Sequence, residues 1–460
     1  MTGRSYEVVV IGAGVVGAAL ARDLAGLDQT VALVDARNDV SEGTSKANTA
    51  ILHTGYDASP GTLESQLVAQ GYHLLRDYCQ QAGICVEQLG AVLVAWDTEQ
   101  LAALPDLAAK AEKNGYHDCQ VLSREQVLEA LPHASDRALG GLLVPGESII
   151  DPWSVPLALA TDAVNRGAEL LRGTRVTGAE TGPDSTRLTT TTGDIQATWV
   201  VNAAGLGADT IDGYFGYSRL VCHPRRGELL VFDKLASRLV DKIVLPVPSR
   251  LGKGVLVSPT VFGNVMLGPT AEDMTDRDDT STTADGFAFL LEKGAGIIPE
   301  LLGEEVSASY AGLRAAHNLS DYLLEVDAEQ RYVIAGAIRS TGLTSAMAVS
   351  QHLLGKMRDS GLSAAERAEL PAPVQMPPLG ERSGRPCADA DRVAQDPAYG
   401  EVVCFCERVS RGEIRDAFAS VVPPAGLSGL RRRTRAMNGR CQGFFCGAEV
   451  DQLLRQHQEG

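Results

Sequence analysis

The sequence predicts an α/β protein in which a doubly wound domain is interleaved with a mostly β domain and followed by a small helical module. A Val-rich run at 7–11, a glycine turn at 12–17 and an apolar run at 30–34 predict a strand, a helix and a second strand. Residues 332–357 repeat this strand, turn and helix pattern, whereas 219–310 predict short strands and turns. At 460 residues the chain is long enough for two or three such domains.

The glycine turn has the spacing of a dinucleotide-binding loop. Gly12 permits the tight turn, Gly14 lets the backbone approach a pyrophosphate, and Gly17 lets the next helix pack on the sheet. The N-terminus of that helix offers N–H groups to the phosphates. Asp35 lies 21 residues after Gly14, where its carboxylate can bind the ribose hydroxyls of an adenosine. The motif predicts a Rossmann-type site, and by itself it does not distinguish NAD from FAD.

The middle of the chain carries further helix and strand patterns. Leucine spacing predicts a helix after Pro60, and Ser123 with Gln126 predicts a capping box ahead of another helix. Residues 169–201 predict short strands that end in a run of small residues, which lets a backbone lie against a ligand. The other predicted elements are a strand at 92–96, helices at 155–166 and near 286–293, a strand at 332–338, a turn at 340–345 and a helix at 346–357.

Composition restricts the function classes. The net charge of −17 argues against general nucleic-acid binding, which requires a basic face. No run approaches the roughly 18 apolar residues of a membrane helix, and the first strand begins within about six residues, which leaves no room for a signal peptide. We therefore expect a soluble, cytoplasmic protein that contacts a membrane only through a partner. Cysteines in such a chain are more often ligands, reactive groups or core residues than disulfides.

Four of the nine cysteines form two close pairs in the C-terminal segment, which follows a linker with six prolines between residues 371 and 403. The pairs are Cys404 with Cys406 and Cys441 with Cys446. Such thiolates suit a tetrahedral metal or an iron–sulfur cluster, and the single residue between the first two favours the cluster over zinc or free thiols. The nearby arginines 431–433 would offset cluster charge, dock an acidic partner, or form a solvated helix face.

Motifs spread along the chain resemble one group of flavoproteins, the glycerol-3-phosphate dehydrogenase (GlpA-like) and L-2-hydroxyglutarate oxidase group of the D-amino-acid-oxidase-like superfamily. The cysteine pairs and the arginine-rich text between them resemble the BFD-like [2Fe–2S] domain that some of these enzymes carry. The resemblance covers essentially the whole chain and implies FAD and a [2Fe–2S] cluster as cofactors. The matching segments are 43–56, 202–205, 223–228, 268–270, 310–314, 340–345 and, in the module, 404–410 and 431–440.

The resemblance also implies a division into domains. We expect an FAD-binding domain at 1–75, 145–215 and 311–362, a substrate domain at 76–144 and 216–310, a linker at 363–401 and a [2Fe–2S] domain at 402–460.

The resemblance assigns site residues. His53 is the candidate base for the substrate hydroxyl, and Arg314 the cation that meets a carboxylate or phosphate. Tyr56 and, less specifically, Arg226 are expected to line the substrate pocket. Cys404, Cys406, Cys441 and Cys446 are the cluster ligands. The residues expected to bind FAD are Gly12, Gly14, Val15, Val16, Gly17, Asp35, Ala36, Arg37, Thr44, Ser45, Asn48, Thr49, Ala203, Ala204, Gly205, Gly312, Gly342, Leu343 and Thr344.

The implied function is a flavin-dependent dehydrogenase that oxidises a small anionic hydroxy substrate, best sn-glycerol 3-phosphate, by hydride transfer to FAD. Electrons would leave through the cluster to a quinone or a protein acceptor. Asp57 stands where aerobic-type glycerol-3-phosphate dehydrogenases carry an arginine beside the tyrosine, which leaves a 2-hydroxy acid such as L-2-hydroxyglutarate open. In that alternative the protein would be a 2-hydroxy-acid dehydrogenase or oxidase. A non-catalytic flavin electron-transfer subunit is the third hypothesis.

Overall fold

The structure is a computed structural model that describes residues 4–248 and 254–459. Its α-helices are α1 (Val15–Leu24), α2 (Leu63–Ala82), α3 (Thr98–Lys113), α4 (Arg124–Ala130), α5 (Ser154–Asn165), α6 (Ala208–Tyr214), α7 (Ala284–Ile297), α8 (Gly342–Asp359), α9 (Ala390–Gln395), α10 (Arg411–Phe418), α11 (Leu427–Thr434) and α12 (Gly447–Glu459). Its strands are β1 (Arg4–Ile11), β2 (Val31–Val34), β3 (Ile51–Leu52), β4 (Val86–Gln88), β5 (Ala91–Ala95), β6 (Gln120–Ser123), β7 (Gly140–Val144), β8 (Ser148–Ile150), β9 (Glu169–Leu171), β10 (Val176–Thr181), β11 (Thr186–Thr190), β12 (Ile195–Asn202), β13 (Cys222–Phe232), β14 (Ile243–Pro246), β15 (Leu256–Pro259), β16 (Val265–Gly268), β17 (Glu272–Asp273), β18 (Val306–His317), β19 (Leu323–Asp327), β20 (Tyr332–Gly336), β21 (Val402–Cys404) and β22 (Val409–Ser410).

The first sheet confirms the predicted α/β class. Its order is β10-β11-β12-β1-β2-β9, and β20 adds to β12 and pairs with β19. Strands β1, β2, β9, β12 and β20 run parallel, and helices α1, α5 and α8 pack together beside them. Residues 8–11 and all of β2 are buried, as expected for strands covered on both faces. The carboxyl ends of β1, β2 and β12 meet at one edge, which is where such sheets bind ligands.

The second sheet draws its strands from two separate parts of the chain. The order is β17-β13-β16-β15-β14-β5-β7-β6, with β18 paired along β13. Residues 91–144 supply β5, β6 and β7, and residues 222–317 supply the others, so this mostly β sheet is interleaved with the first one in sequence. The capping box predicted at Ser123 and Gln126 is present and starts α4.

Two predicted segments differ in the structure. The turn expected at 340–345 is shorter, because α8 already begins at Gly342 and places Gly342, Leu343 and Thr344 in its first turn. The linker at 363–401 lies along the body of the protein, since backbone hydrogen bonds join Met376 N to Ala82 O (2.8 Å) and Glu381 N to Val261 O (2.7 Å). Across residues 4–248 and 254–459, no helix combines the length and apolar character that a bilayer span requires.

The C-terminal module has its own small core and docks on the first domain through the arginines of α11. Arg433 donates two hydrogen bonds of 2.8 Å to the carboxylate of Asp39, and Arg432 donates one of 2.5 Å to Glu42. Both arginines are buried. Neither a solvated helix face nor docking of a separate acidic protein describes these two residues, because their acidic partners belong to the same chain. The sequence did not predict this contact because nearly 400 residues separate its two sides.

Replacing Asp39 with alanine is expected to lower the free energy of unfolding of the docked module by about 3–5 kcal/mol, because Arg433 becomes a buried charge without its carboxylate. Urea denaturation followed by the visible absorbance of the module measures this loss. Glu449→Ala is the matched control, since it removes an ion pair with Arg411 in which both side chains are over 40% exposed. That change is expected to cost at most about 1 kcal/mol. If both substitutions lowered the free energy of unfolding by the same amount, the Asp39–Arg433 ion pair would not be a buried contact that holds the module.

Candidate functional site

The glycine turn packs its backbone directly on the end of β12. Gly12 has φ +107°, and a Cβ there would overlap the carbonyl oxygen of Ala203. A Cβ on Gly17 would overlap the carbonyl oxygen of Gly12, which explains the close packing of α1 on the turn. A Cβ on Gly14 would lie 3.1 Å from Ser45 Oγ. Gly12 and Gly17 therefore have the steric reasons that the motif predicts, and the approach of a pyrophosphate to Gly14 stays a prediction.

The start of α1 is arranged for an anion. The helix has no capping side chain at its N-cap residue and no acidic residue in its first turn. Asp35 lies beside it and accepts hydrogen bonds from Ala13 N (2.7 Å) and Arg37 N (2.8 Å). Burial raises the pKa of Asp35, although these two N–H groups oppose the shift. Ser41, whose N–H donates to Ala13 O, is buried, and its hydroxyl has no partner within the described chain.

The loop at 44–49 joins the first sheet to β18. Ser45 Oγ accepts a hydrogen bond from Val15 N (3.1 Å), and Thr44 Oγ1 donates one to Leu313 O (2.8 Å). Asn48 is fixed by Ser45 O and Ala50 N. A Cβ on Gly312 would overlap Ala47 O, so β18 approaches this loop backbone to backbone. The remaining predicted cofactor residues lie on the same segments: Val16 in α1, Ala36 and Arg37 after β2, Thr49 before β3, Ala203, Ala204 and Gly205 after β12, and Leu343 in α8.

A second helix N-terminus faces this region. Helix α8 has no side-chain cap and no acidic residue in its first turn, and Thr344 in that turn accepts a hydrogen bond from His53 N (3.1 Å). The residues predicted from two distant segments, His53 and Thr344, are therefore in direct contact.

His53 is paired with a carboxylate that the sequence did not reveal. Its Nδ1 lies 2.8 Å from Glu147 Oε2, and Glu147 is completely buried. Glu147 Oε1 accepts from both Thr54 N (2.7 Å) and Thr54 Oγ1 (2.9 Å). The antiparallel pairing of β3 with β8 sets Leu52 opposite Ser148, and the next residues, His53 and Glu147, continue that register. An ionised Glu147 only accepts hydrogen bonds, so it holds the proton on Nδ1 and leaves Nε2 as an acceptor.

Arg314 lies on β18 directly opposite Arg225 of β13. Its guanidinium donates to Thr270 O (2.5 Å), and within the described residues no carboxylate lies at salt-bridge distance from it. Burial, and then the nearby charge of Arg225, lowers the pKa of Arg314. Arg225, by contrast, is bound by Asp273 at 2.6 and 2.9 Å. A largely buried guanidinium without a carboxylate partner is a suitable binding group for an anion.

Two residues expected at the substrate pocket are buried against other parts of the chain. Tyr56 is only 3% exposed and packs in an apolar cluster with Leu142 and Val144, because the strands of the second sheet close over it. Arg226 is buried and bound to Glu272 and Asp279. A direct contact of either side chain with the substrate stays a prediction.

The four predicted ligand cysteines line one cavity of about 370 Å³, together with Phe405, Arg440 and Phe445. The thiols approach each other in two pairs, Cys404 beside Cys446 and Cys406 beside Cys441. The N–H of Phe445, helped by other N–H groups of the same turn, lowers the pKa of Cys441. Burial, followed by the proximity of Cys404, raises the pKa of Cys446 to about 12.

The paired arrangement of these cysteines bears on the identity of the metal group. In the part of the chain that the structure describes, no three His, Cys, Asp or Glu side chains converge for a single ion. Four thiols in two pairs around one cavity suit an iron–sulfur cluster better than one tetrahedral zinc.

Comparison with known proteins agrees with both halves of this site. Residues 7–354 match the family described as FAD dependent oxidoreductase, and residues 402–456 match the BFD-like [2Fe-2S] binding domain. The chain is 35% identical to a glycerol 3-phosphate dehydrogenase of Caloramator mitchellensis, over 98% of this chain and 94% of that protein. It is 24% identical to one subunit of the anaerobic glycerol-3-phosphate dehydrogenase of Escherichia coli K12, over 98% of this chain and 88% of that protein.

A solved structure has a similar fold. The dithionite-reduced L-alpha-glycerophosphate oxidase of Mycoplasma pneumoniae with FAD bound superposes with a TM-score of 0.76 at 26% identity, covering 81% of this chain and 99% of that chain.

Proposed function

Because this chain belongs to the FAD-dependent oxidoreductase family and ends in a BFD-like [2Fe–2S] domain, we propose that it oxidises sn-glycerol 3-phosphate and passes the electrons through the cluster to a separate acceptor. The acceptor is a quinone or an electron-transfer protein. We place the protein in the cytoplasm, with any membrane contact made by the partner. The observation that carries the proposal is the His53–Glu147 pair beside the cofactor loops, in a chain whose cysteine module docks on the same domain through Arg433.

The glycine turn fits FAD. Asp35 would bind the adenosine ribose, the turn at 12–17 and the free end of α1 would hold the pyrophosphate, and the orphaned Ser41 hydroxyl lies beside that turn. Ser45, Asn48 and the first turn of α8 would border the flavin. The four paired cysteines fit the cluster. Bound FAD accepts two electrons from the alcohol and releases them singly, which is what a cluster that carries one electron at a time requires.

His53 removes the hydroxyl proton of the substrate in this proposal. Glu147 holds the imidazole in the tautomer with the proton on Nδ1, so Nε2 is free to accept. The hydrogen bond from His53 N to Thr344 fixes the backbone of the base against α8. The carboxylate also stabilises the imidazolium that forms when Nε2 takes the proton.

Arg314 binds the anionic end of the substrate in the same proposal. Replacing it with leucine is expected to lower kcat/KM by about 10- to 100-fold, because hydrogen bonds to charged groups are worth about 1.5–3 kcal/mol each. Steady-state kinetics with sn-glycerol 3-phosphate measures the loss. Arg225→Leu is the control on the facing strand, since Asp273 already binds that guanidinium. If the Arg225 variant lost as much activity as the Arg314 variant, Arg314 would not be the specific anion site.

Anaerobic bleaching of the flavin absorbance tests the proposed function. sn-Glycerol 3-phosphate is expected to bleach the bound FAD, whereas L-2-hydroxyglutarate and amino acids are not. Bleaching by L-2-hydroxyglutarate instead would assign the protein to the 2-hydroxy-acid class. Rapid hydrogen peroxide production in air would indicate an oxidase, and no bleaching by any of these compounds, in protein that dithionite still reduces, would refute dehydrogenase activity.

A further inference from the structure

The cysteine module is held at the junction of both larger domains. Arg432 and Arg433 bind Glu42 and Asp39 of the first domain, as described above. On the other side, Arg435 at the end of α11 contacts the second domain, where its guanidinium lies 4.0 Å from the centre of the Phe262 ring. Buried, bidentate ion pairs hold a fixed geometry. The module is therefore held against both larger domains.

Arg435 links this docking surface to a cluster ligand. Its Nε donates a hydrogen bond of 2.9 Å to Glu407 Oε2, and Glu407 directly follows Cys406 in the sequence. Both members of this ion pair are about 5% exposed. Lys234 Nζ lies 3.2 Å from the same oxygen of Glu407, so two cations hold this carboxylate in place.

Trp153 links the same surface to the cofactor loop. Its ring stacks on Phe262 with the centres 5.1 Å apart and the planes at 20°, and Arg435 lies 5.9 Å from its centre. The indole Nε1 donates a hydrogen bond of 3.0 Å to Lys46 O, in the loop between Ser45 and Asn48. The contacts are thus continuous from the loop expected to border the flavin, through Trp153, Phe262 and Arg435, to the residue next to Cys406.

We propose that the Trp153–Phe262–Arg435 stack is the contact through which electrons pass from the flavin site to the cluster, and that Trp153 is its positioning residue on the flavin side. This inference rests on the proposed function. Trp153 is assigned because its indole is hydrogen-bonded to the cofactor loop. Arg435 anchors the opposite end through Glu407.

The electrons balance as follows. Oxidation of the alcohol breaks its O–H and C–H bonds and forms the second carbon–oxygen bond of the ketone. The hydroxyl proton goes to His53, and the C–H hydrogen leaves with the electron pair, which reduces the flavin. Bound FAD would be reoxidised when the two electrons pass singly to the cluster, and the proton that arrived with them would be released to solvent. Each electron then leaves the cluster for the external acceptor, a quinone or a redox protein, which is the species finally reduced.

The test separates reduction of the flavin from reduction of the cluster. In anaerobic stopped-flow and freeze-quench experiments, Trp153→Leu is expected to leave flavin bleaching by substrate at the wild-type rate. The appearance of the reduced-cluster EPR signal is expected to slow by up to about 100-fold, since a displacement of about 1 Å between reacting groups can cost that much. Trp153→Phe keeps an aromatic ring on Phe262 and is expected to recover most of that rate. Trp96→Leu, a partly buried tryptophan elsewhere in the second domain, is the control.

Flavin reduced by light in the presence of EDTA enters the same electron-transfer step without any substrate. Slow cluster reduction in Trp153→Leu under light, together with no bleaching by sn-glycerol 3-phosphate, would support the stack while refuting the proposed substrate. Cluster reduction at the wild-type rate in both Trp153 variants would overturn the inference. If Trp153→Leu does not fold, the Phe variant decides, because a smaller decrease in its rate without a change in cluster content or EPR line shape still supports the positioning role.

Discussion

Replacing His53 with alanine is expected to slow reduction of bound FAD by substrate about 10²–10⁴-fold, the usual contribution of a positioned general base. The rate of anaerobic flavin bleaching measures the effect, and the flavin content after purification shows whether FAD is retained. His53 touches the predicted cofactor residue Thr344 only through its backbone N–H, which alanine keeps, so FAD binding is expected to survive. His73→Ala, an exposed histidine on α2, is the control. If the His53 variant bleached the flavin at the wild-type rate, His53 would not take part in the reaction.

Glu147→Gln tests the same base through its tautomer. Glu147 Oε1 accepts from Thr54 N and Thr54 Oγ1, so glutamine must keep its carbonyl oxygen there and turn its NH₂ group toward His53 Nδ1. That arrangement forces the proton onto Nε2, which then has no lone pair for the substrate. A tautomer error of this kind costs about 10⁴-fold in a Ser-His-Asp triad. We expect a loss comparable with that of His53→Ala, and a wild-type rate in Glu147→Gln would show that the pair is only structural.

Replacing Cys441 with serine is expected to abolish the cluster while FAD stays bound. Cys441 belongs to one of the two thiol pairs, and serine removes the thiolate that iron requires. The Asp39–Arg433 ion pair does not involve the cysteines, so the first domain keeps this contact with the module. Iron, sulfide and flavin assays of the purified protein measure both cofactors, and Cys387→Ser, outside the two pairs, is the control.

Other outcomes of these assays would correct the assignment. Zinc without iron and sulfide in the wild-type protein would refute the cluster. Loss of FAD together with the cluster in Cys441→Ser would mean that the module is an integral part of the flavin domain.

The parts of the site that depend on backbone packing could be predicted from the local sequence. Gly12 and Gly17 were predictable because their contacts lie within a turn or at the end of the adjacent strand, where a Cβ has no room. The capping box at Ser123 was also predictable, since the spacing of Ser123 and Gln126 alone defines it.

Contacts between distant segments could not be predicted from the local sequence. Glu147 reaches His53 only through the register of β3 and β8, and 94 residues separate the two. The acidic partners of Arg432 and Arg433 lie in a loop near the N-terminus, so the arginine run looked like a surface feature in sequence. Tyr56 follows the catalytic candidate by three residues and still turns into the core, because a loop can bury one side chain and present the next to a ligand.

The most direct test of this electron path is an anaerobic titration of the purified holoprotein with sn-glycerol 3-phosphate, followed by flavin absorbance and by EPR of the same samples. We expect the substrate to bleach the flavin and the reduced [2Fe–2S] signal then to appear in the same chain. A different result would contradict the proposal that one chain passes electrons from the substrate to the cluster. In that result the substrate bleaches the flavin, and the cluster stays oxidised although dithionite can reduce it.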